Sequence, residues 1–146
     1  MKTLSETVTR TPQETERLAQ TLASEVDSHE VIALYGDLGM GKTVFSRAFI
    51  RTLAENNELE IPSPTFTLLQ TYSSTKGHIS HFDCYRLTDP EEIYELGWED
   101  AISEGITLIE WPQRIQALLP SRRLDITLSA VQNSTEHRHI KIIRVE

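Results

Sequence analysis

Gly36-Asp37-Leu38-Gly39-Met40-Gly41-Lys42-Thr43 spells G-x-x-x-x-G-K-[ST], the pattern of a phosphate-binding loop. Its glycines let the backbone fold back, so that the successive N–H groups of Gly36 to Gly41 can aim at phosphate oxygens. Lys42 then reaches the β and γ phosphates as a point charge, and the Thr43 hydroxyl is placed to ligate Mg²⁺. The pattern demands a strand before it and a helix after it. Val31-Ile32-Ala33-Leu34-Tyr35 is the continuous apolar run of a buried parallel strand. Val44, Phe45, Ala48, Phe49 and Leu53 fall at helical spacing, with Arg47 and Arg51 on the other side. The positive end of that helix adds to the anion site. The stretch predicts nucleoside triphosphate binding.

Working outward toward the N-terminus, Thr11-Pro12-Gln13-Glu14 predicts a helix start, with Thr11 as N-cap, Pro12 at N1 and Glu14 completing a capping box. Leu18, Leu22 and Val26 give that helix an apolar stripe, and Leu4 to Thr9 reads as an edge strand. In the other direction the loop's helix fades at Asn56-Asn57, and Ile61-Pro62-Ser63-Pro64 breaks regular structure. Thr65 to Tyr72 and Gly77 to Tyr85 read as two strands joined by a turn. Asp89-Pro90-Glu91-Glu92 starts a helix that Gly97 interrupts. Ile106-Thr107-Leu108-Ile109 reads as a buried strand ending at Glu110, and Gln113 to Leu119 as a short helix. Leu124 to Leu128 and His139 to Ile143 predict an antiparallel hairpin at one sheet edge. The sum is an α/β chain of one domain over residues 1–146. It is a P-loop NTPase-like three-layer fold, its mostly parallel central sheet extended by antiparallel strands at the edge. Ligands of such sheets sit beyond the C-terminal ends of the central strands.

Phosphoryl transfer needs Mg²⁺ held against the phosphates and a group that orients the attacking oxygen. Oxygen ligands hold Mg²⁺, and two carboxylates qualify. Glu110 ends an apolar strand at the same edge as Thr43, so it is the expected metal ligand or else a strand-end cap. Asp83 lies in an alternating strand between His81 and Tyr85, as a second metal-shell residue, a water-orienting base, or a partner of Arg86. With Lys42 they make up the expected catalytic set. Thr65 is a candidate for binding a metal-bound water or sensing the γ-phosphate. Trp111 either packs or, beside Glu110, reports on bound nucleotide. Arg138 is expected to be solvated rather than to reach the phosphates. The five histidines show no ligand-like cluster, and no structural metal is expected.

The charge of −8 argues against unaided binding to a nucleic-acid backbone and leaves room for a protein partner. Between Asp89 and Glu110 every charged residue is acidic, which suits a solvated helix face or a docking surface. The lone Cys84 excludes an internal disulfide and fits a reducing cytoplasm. No apolar run approaches the roughly 20 residues of a membrane span.

Four ordered blocks carry a resemblance: Leu34 to Thr43, Ser63-Pro64-Thr65-Phe66, His81-Phe82-Asp83-Cys84-Tyr85-Arg86-Leu87, and Ile109-Glu110-Trp111-Pro112. In these blocks and in its length the chain resembles the bacterial TsaE (YjeE) family, small ATPases required for threonylcarbamoyladenosine formation in tRNA. The resemblance implies ATP as ligand, Mg²⁺ on Thr43 and Glu110, a functional Asp83, and the nucleotide base near Thr11. It also implies TsaB and TsaD as partners, with ATP binding and hydrolysis resetting their complex. Met40 departs from the smaller residue that the family often has there. From the residues alone, a small-molecule kinase and a nucleotide-gated binding module compete with this reading. A guanine reader is unsupported, because Thr75-Lys76-Gly77-His78 lacks the aspartate.

Overall fold

The run Val31–Tyr35 is apolar because both of its faces are covered. In the computed structural model, which describes residues 1–146, Val31 to Leu34 form a strand with no more than 3% of any residue exposed. Ile32 and Leu34 enter the core under two α-helices, while Val31 and Ala33 enter a second core on the opposite side. This is the central strand of three layers.

The strands are β1 (Lys2–Thr9), β2 (Val31–Tyr35), β3 (Leu69–Ser74), β4 (Gly77–Asp83), β5 (Gly105–Glu110), β6 (Arg123–Ala130) and β7 (Arg138–Val145). Their order in the sheet is β1-β7-β6-β2-β5-β4-β3. The four strands from β6 to β4 are mutually parallel, whereas β3 on one side and β7 and β1 on the other are antiparallel additions. The helices α1 (Pro12–Glu25) and α2 (Lys42–Ala54) contribute to one core, and α3 (Trp98–Glu104) with two 3₁₀ helices, Pro90–Leu96 and Pro112–Leu118, to the other. The expected α/β architecture is the one observed.

Several local expectations need correction. The β6–β7 hairpin is not the sheet edge: β6 pairs in parallel with β2, and the mostly exposed β1 closes that side. The strand expected from Thr65 begins only at Leu69. Leu68 donates its N–H to Pro64 O at 2.6 Å and takes a left-handed φ of 69°, so residues 65–68 form a turn instead. The helix after Asp89 is 3₁₀ up to Gly97, whose φ of 85° breaks it before α3. Only half of the first capping box forms. Glu14 N donates to Thr11 Oγ1, but the Glu14 carboxylate accepts from Arg10 N rather than from Thr11 N. On α1 the buried positions are Thr15, Ala19, Leu22 and Ala23, with Leu18 only half-buried.

Four charged side chains fasten the frame. Arg47 Nε and Arg51 Nε each donate to a carbonyl, Ile61 O and Leu59 O, both at 2.9 Å, and so hold the segment after α2 against the helix. Glu30, buried just before β2, accepts a bidentate pair from Arg144 of β7 at 2.6 and 2.8 Å. Removing the arginine would leave a carboxylate buried without its partner. Arg144→Met should therefore lower the unfolding free energy by about 3 kcal/mol, measured by urea denaturation.

Candidate functional site

A cleft of about 410 Å³ opens where β2, β4 and β5 end. It is lined by Lys42 and Thr43 from the start of α2, by Asp83 and Glu110 from the ends of β4 and β5, and by Thr65 and Trp111. Register explains the convergence. Glu110 is the parallel partner of Asp83 on one side and of Leu34 on the other. The three residues therefore form one rung, just below the loop that begins at Gly36.

The loop lies hard against the sheet: a Cβ on Gly36 would stand 3.0 Å from the carbonyl oxygen of Leu128 in β6. Gly41 caps α2 in a left-handed conformation at φ 98°, and Met40 N closes a turn onto Asp37 O at 3.2 Å. Leu38 projects into solvent, whereas Met40 is partly buried against the core. Lys42 is 6% exposed, and its Nζ has no hydrogen-bond partner. It rests 3.5 Å from the centre of the Trp111 ring as a cation–π contact. Burial lowers the Lys42 pKa, against the opposing pull of Glu110, Asp83 and Asp37. An orphaned, desolvated ammonium beside a glycine-rich cradle is the chemistry that a phosphate group would complete.

The carboxylates are already engaged. Asp83 Oδ2 accepts from Thr65 Oγ1 at 3.1 Å and Oδ1 from Tyr85 N at 2.9 Å, while the Ser63 and Thr65 hydroxyls stand 2.8 Å apart. The pairing of Asp83 with Arg86 does not form; the Arg86 guanidinium lies over the exposed Phe66 ring. Glu110 Oε2 bonds His81 Nε2 at 2.6 Å and Ser46 Oγ at 3.4 Å. No three His, Cys, Asp or Glu side chains converge to hold a metal. A cation against Thr43 and Glu110 would thus take its other ligands from phosphate and water, as Mg²⁺ commonly does. Trp111 holds a left-handed φ of 56° and ψ of 49°, and its ring lies 4.8 Å from that of Tyr85.

Across the loop lies a second cavity of about 190 Å³, lined by Pro12 and Thr15 of α1, Gly39 and Gly41 of the loop, Thr135 and Glu136 of the β6–β7 connection, and Arg138 at the start of β7. Thr11, expected near a nucleotide base, is adjacent to it, its hydroxyl accepting the N-cap bond of α1. Arg138, expected to be solvated, instead donates Nη2 to Gly39 O at 3.2 Å and Nη1 to Thr135 O and His137 O. His81 and Ser46 are the site residues that the sequence reading missed. The signal for Ser46 was a small polar residue on an apolar helix stripe, one turn after Lys42.

Residues 9–140 match the model of the family described as threonylcarbamoyl adenosine biosynthesis protein TsaE. The chain is 44% identical over 122 residues to a Rickettsia conorii protein named tRNA threonylcarbamoyladenosine biosynthesis protein TsaE, covering 84% of this chain and 69% of that one. An Aquifex aeolicus protein of the same name is 33% identical and is covered, as this chain is, over 99% of its length. The crystal structure of Bacillus subtilis YdiB superposes with a TM-score of 0.73 at 28% identity, covering 97% of this chain and 86% of that one.

The Lys42–Trp111 contact makes binding observable. A nucleoside triphosphate that draws Lys42 off the ring should change tryptophan fluorescence, and Lys42→Ala should abolish both the change and the binding. Because Lys42 titrates below its free value, the native state binds fewer protons than the unfolded chain between the two pKa values, and its stability contribution rises with pH across that window. An anionic phosphate bound beside Nζ would favour the charged form and raise the pKa again. Triphosphate binding in alkaline buffer should therefore take up protons, seen by calorimetry as an enthalpy that varies with the buffer's own ionisation enthalpy.

Proposed function

The chain belongs to the TsaE family, and on that premise we propose that it is a Mg²⁺-dependent ATPase serving threonylcarbamoyladenosine modification of tRNA. The observation that carries this reading is the buried, unpartnered Lys42 Nζ in a cleft shared with Thr43, Asp83 and Glu110. The name shared by the relatives supplies the pathway.

Each residue then has a task. The amides of Gly36, Asp37, Leu38, Gly39, Met40 and Gly41 cradle the phosphates, and Lys42 neutralises the β and γ oxygens. Thr43 Oγ1 and Glu110 would hold the Mg²⁺, which would supply neutralisation of phosphate charge when bound. Asp83, steadied by Thr65 and by the Tyr85 amide, orients the attacking water in line with the γ-phosphorus. A bond from that water oxygen to phosphorus forms, the bond to the β-γ bridging oxygen breaks, the water's proton passes by way of Asp83 to the departing phosphate or solvent, and ADP and phosphate leave. Before nucleotide binds, Trp111 roofs Lys42 and keeps bulk water off it. We assign the base to the cavity beside Pro12 and Thr15, next along the chain to Thr11.

The charge of −8 suits a protein that leaves tRNA to others. We assign TsaB and TsaD as those partners, with ATP turnover resetting their complex. A test is ATP hydrolysis by the purified protein, alone and with the TsaB–TsaD pair. Slow turnover that rises with the pair, vanishes on chelation of Mg²⁺, and falls about a hundredfold or more in Glu110→Ala is the expected result. Turnover indifferent to the pair would remove the tRNA role, and phosphate transfer to a metabolite would favour a kinase.

A further inference from the structure

Glu110 has two carboxylate oxygens, and the fold treats them differently. Oε2 stands between His81 Nε2 of β4 and Ser46 Oγ of α2, at 2.6 and 3.4 Å. Oε1 has no bond to protein and is not among the buried atoms lacking a partner, so it keeps its access to the cleft. His81 itself is 2% exposed, and its Nδ1 is buried with no partner. A proton on Nδ1 would be sealed in without an acceptor, so the hydrogen-bond network assigns the ring proton to Nε2, where it is donated to Glu110. β4 presents His81 and Asp83 on one face, and β5 brings Glu110 level with Asp83. The imidazole therefore meets the carboxylate on the diagonal and from within the protein, not from the cleft.

We propose that His81 is a positioning residue that makes Glu110 a one-oxygen ligand and thereby selects Mg²⁺ over larger divalent cations. The proposal rests on the cleft being a Mg²⁺-dependent nucleotide site. Mg²⁺ keeps a tight octahedral shell, whereas Ca²⁺ accepts carboxylates through both oxygens in a larger one. With Oε2 committed to His81 and Ser46, Glu110 cannot wrap a cation with both oxygens. His81 never touches the cation; it acts through the carboxylate that it orients, as residues behind metal ligands do.

The test measures binding of a non-hydrolysable ATP analogue by calorimetry at graded Mg²⁺ or Ca²⁺. In His81→Leu the ratio of the half-saturating concentrations should move toward Ca²⁺ by about tenfold or more. Ser46→Ala should move it less in the same direction. His81→Gln, whose amide N–H reaches the same oxygen, should return it close to the starting value. Independently of any ligand, long-range ¹H–¹⁵N spectra of the nucleotide-free protein should show the His81 proton on Nε2. A folded His81→Leu with an unchanged ratio overturns the proposal, and so does a His81 proton found on Nδ1. If His81→Leu does not fold, the serine variant and the proton position decide. A wild-type protein whose nucleotide binding ignores both cations would instead defeat the Mg²⁺-dependent reading of the cleft. An unchanged ratio in a cation-responsive protein defeats the role of His81 alone.

Discussion

The cleft depends on one rung of the sheet. β4, β5 and β2 lie in parallel register so that Asp83, Glu110 and Leu34 stand side by side. A slip of one residue in β5 would turn Glu110 to the other face and drive Ile106, Leu108 and Ile109 into the wrong cores. Two separate apolar layers therefore enforce the alignment on which the site rests. Hydrophobic burial sets the register, and the register sets the chemistry.

Within the cleft, the acidic and basic sides are built to different degrees. Asp83 receives bonds from Thr65 and the Tyr85 amide, and Glu110 from His81 and Ser46, so both carboxylates are held in place by the protein. Lys42 has only the face of Trp111. The acidic half is preorganised, which spares reorganisation when charge develops. The basic half is left wanting an anion. An asymmetric cleft of this kind discriminates by what is missing: neutral ligands cannot satisfy it.

The parts legible in the sequence were those carried by local pattern. The phosphate loop, the flanking strand and helix, and Glu110 at the end of an apolar run needed only neighbours along the chain. The parts that were hidden depend on pairing at a distance. Leu124 to Leu128 alternates as any half-buried strand does, and nothing in that alternation says that β2 lies beside it in parallel. His81 meets Glu110 only because β4 and β5 are neighbours in a particular register, and Arg138 reaches Gly39 across the sheet from a hairpin with no motif. The turn at Thr65 to Leu68 was masked because its residues have good strand propensity, which the bond from Leu68 N to Pro64 O overrides. Glu14 chose the amide of Arg10 over that of Thr11, a difference of one residue that no pattern encodes.

The left-handed backbone of Trp111 joins stability to function in opposite senses. A residue with a Cβ at φ 56° carries a conformational penalty of about 1 kcal/mol or more that glycine would avoid. Selection for robustness alone would thus tend to replace this tryptophan. Such a replacement would take away the roof over Lys42 and expose the ammonium to water. The position is a point where evolvability runs one way, open to sequences that relax the turn and closed to those that must keep the cleft dry.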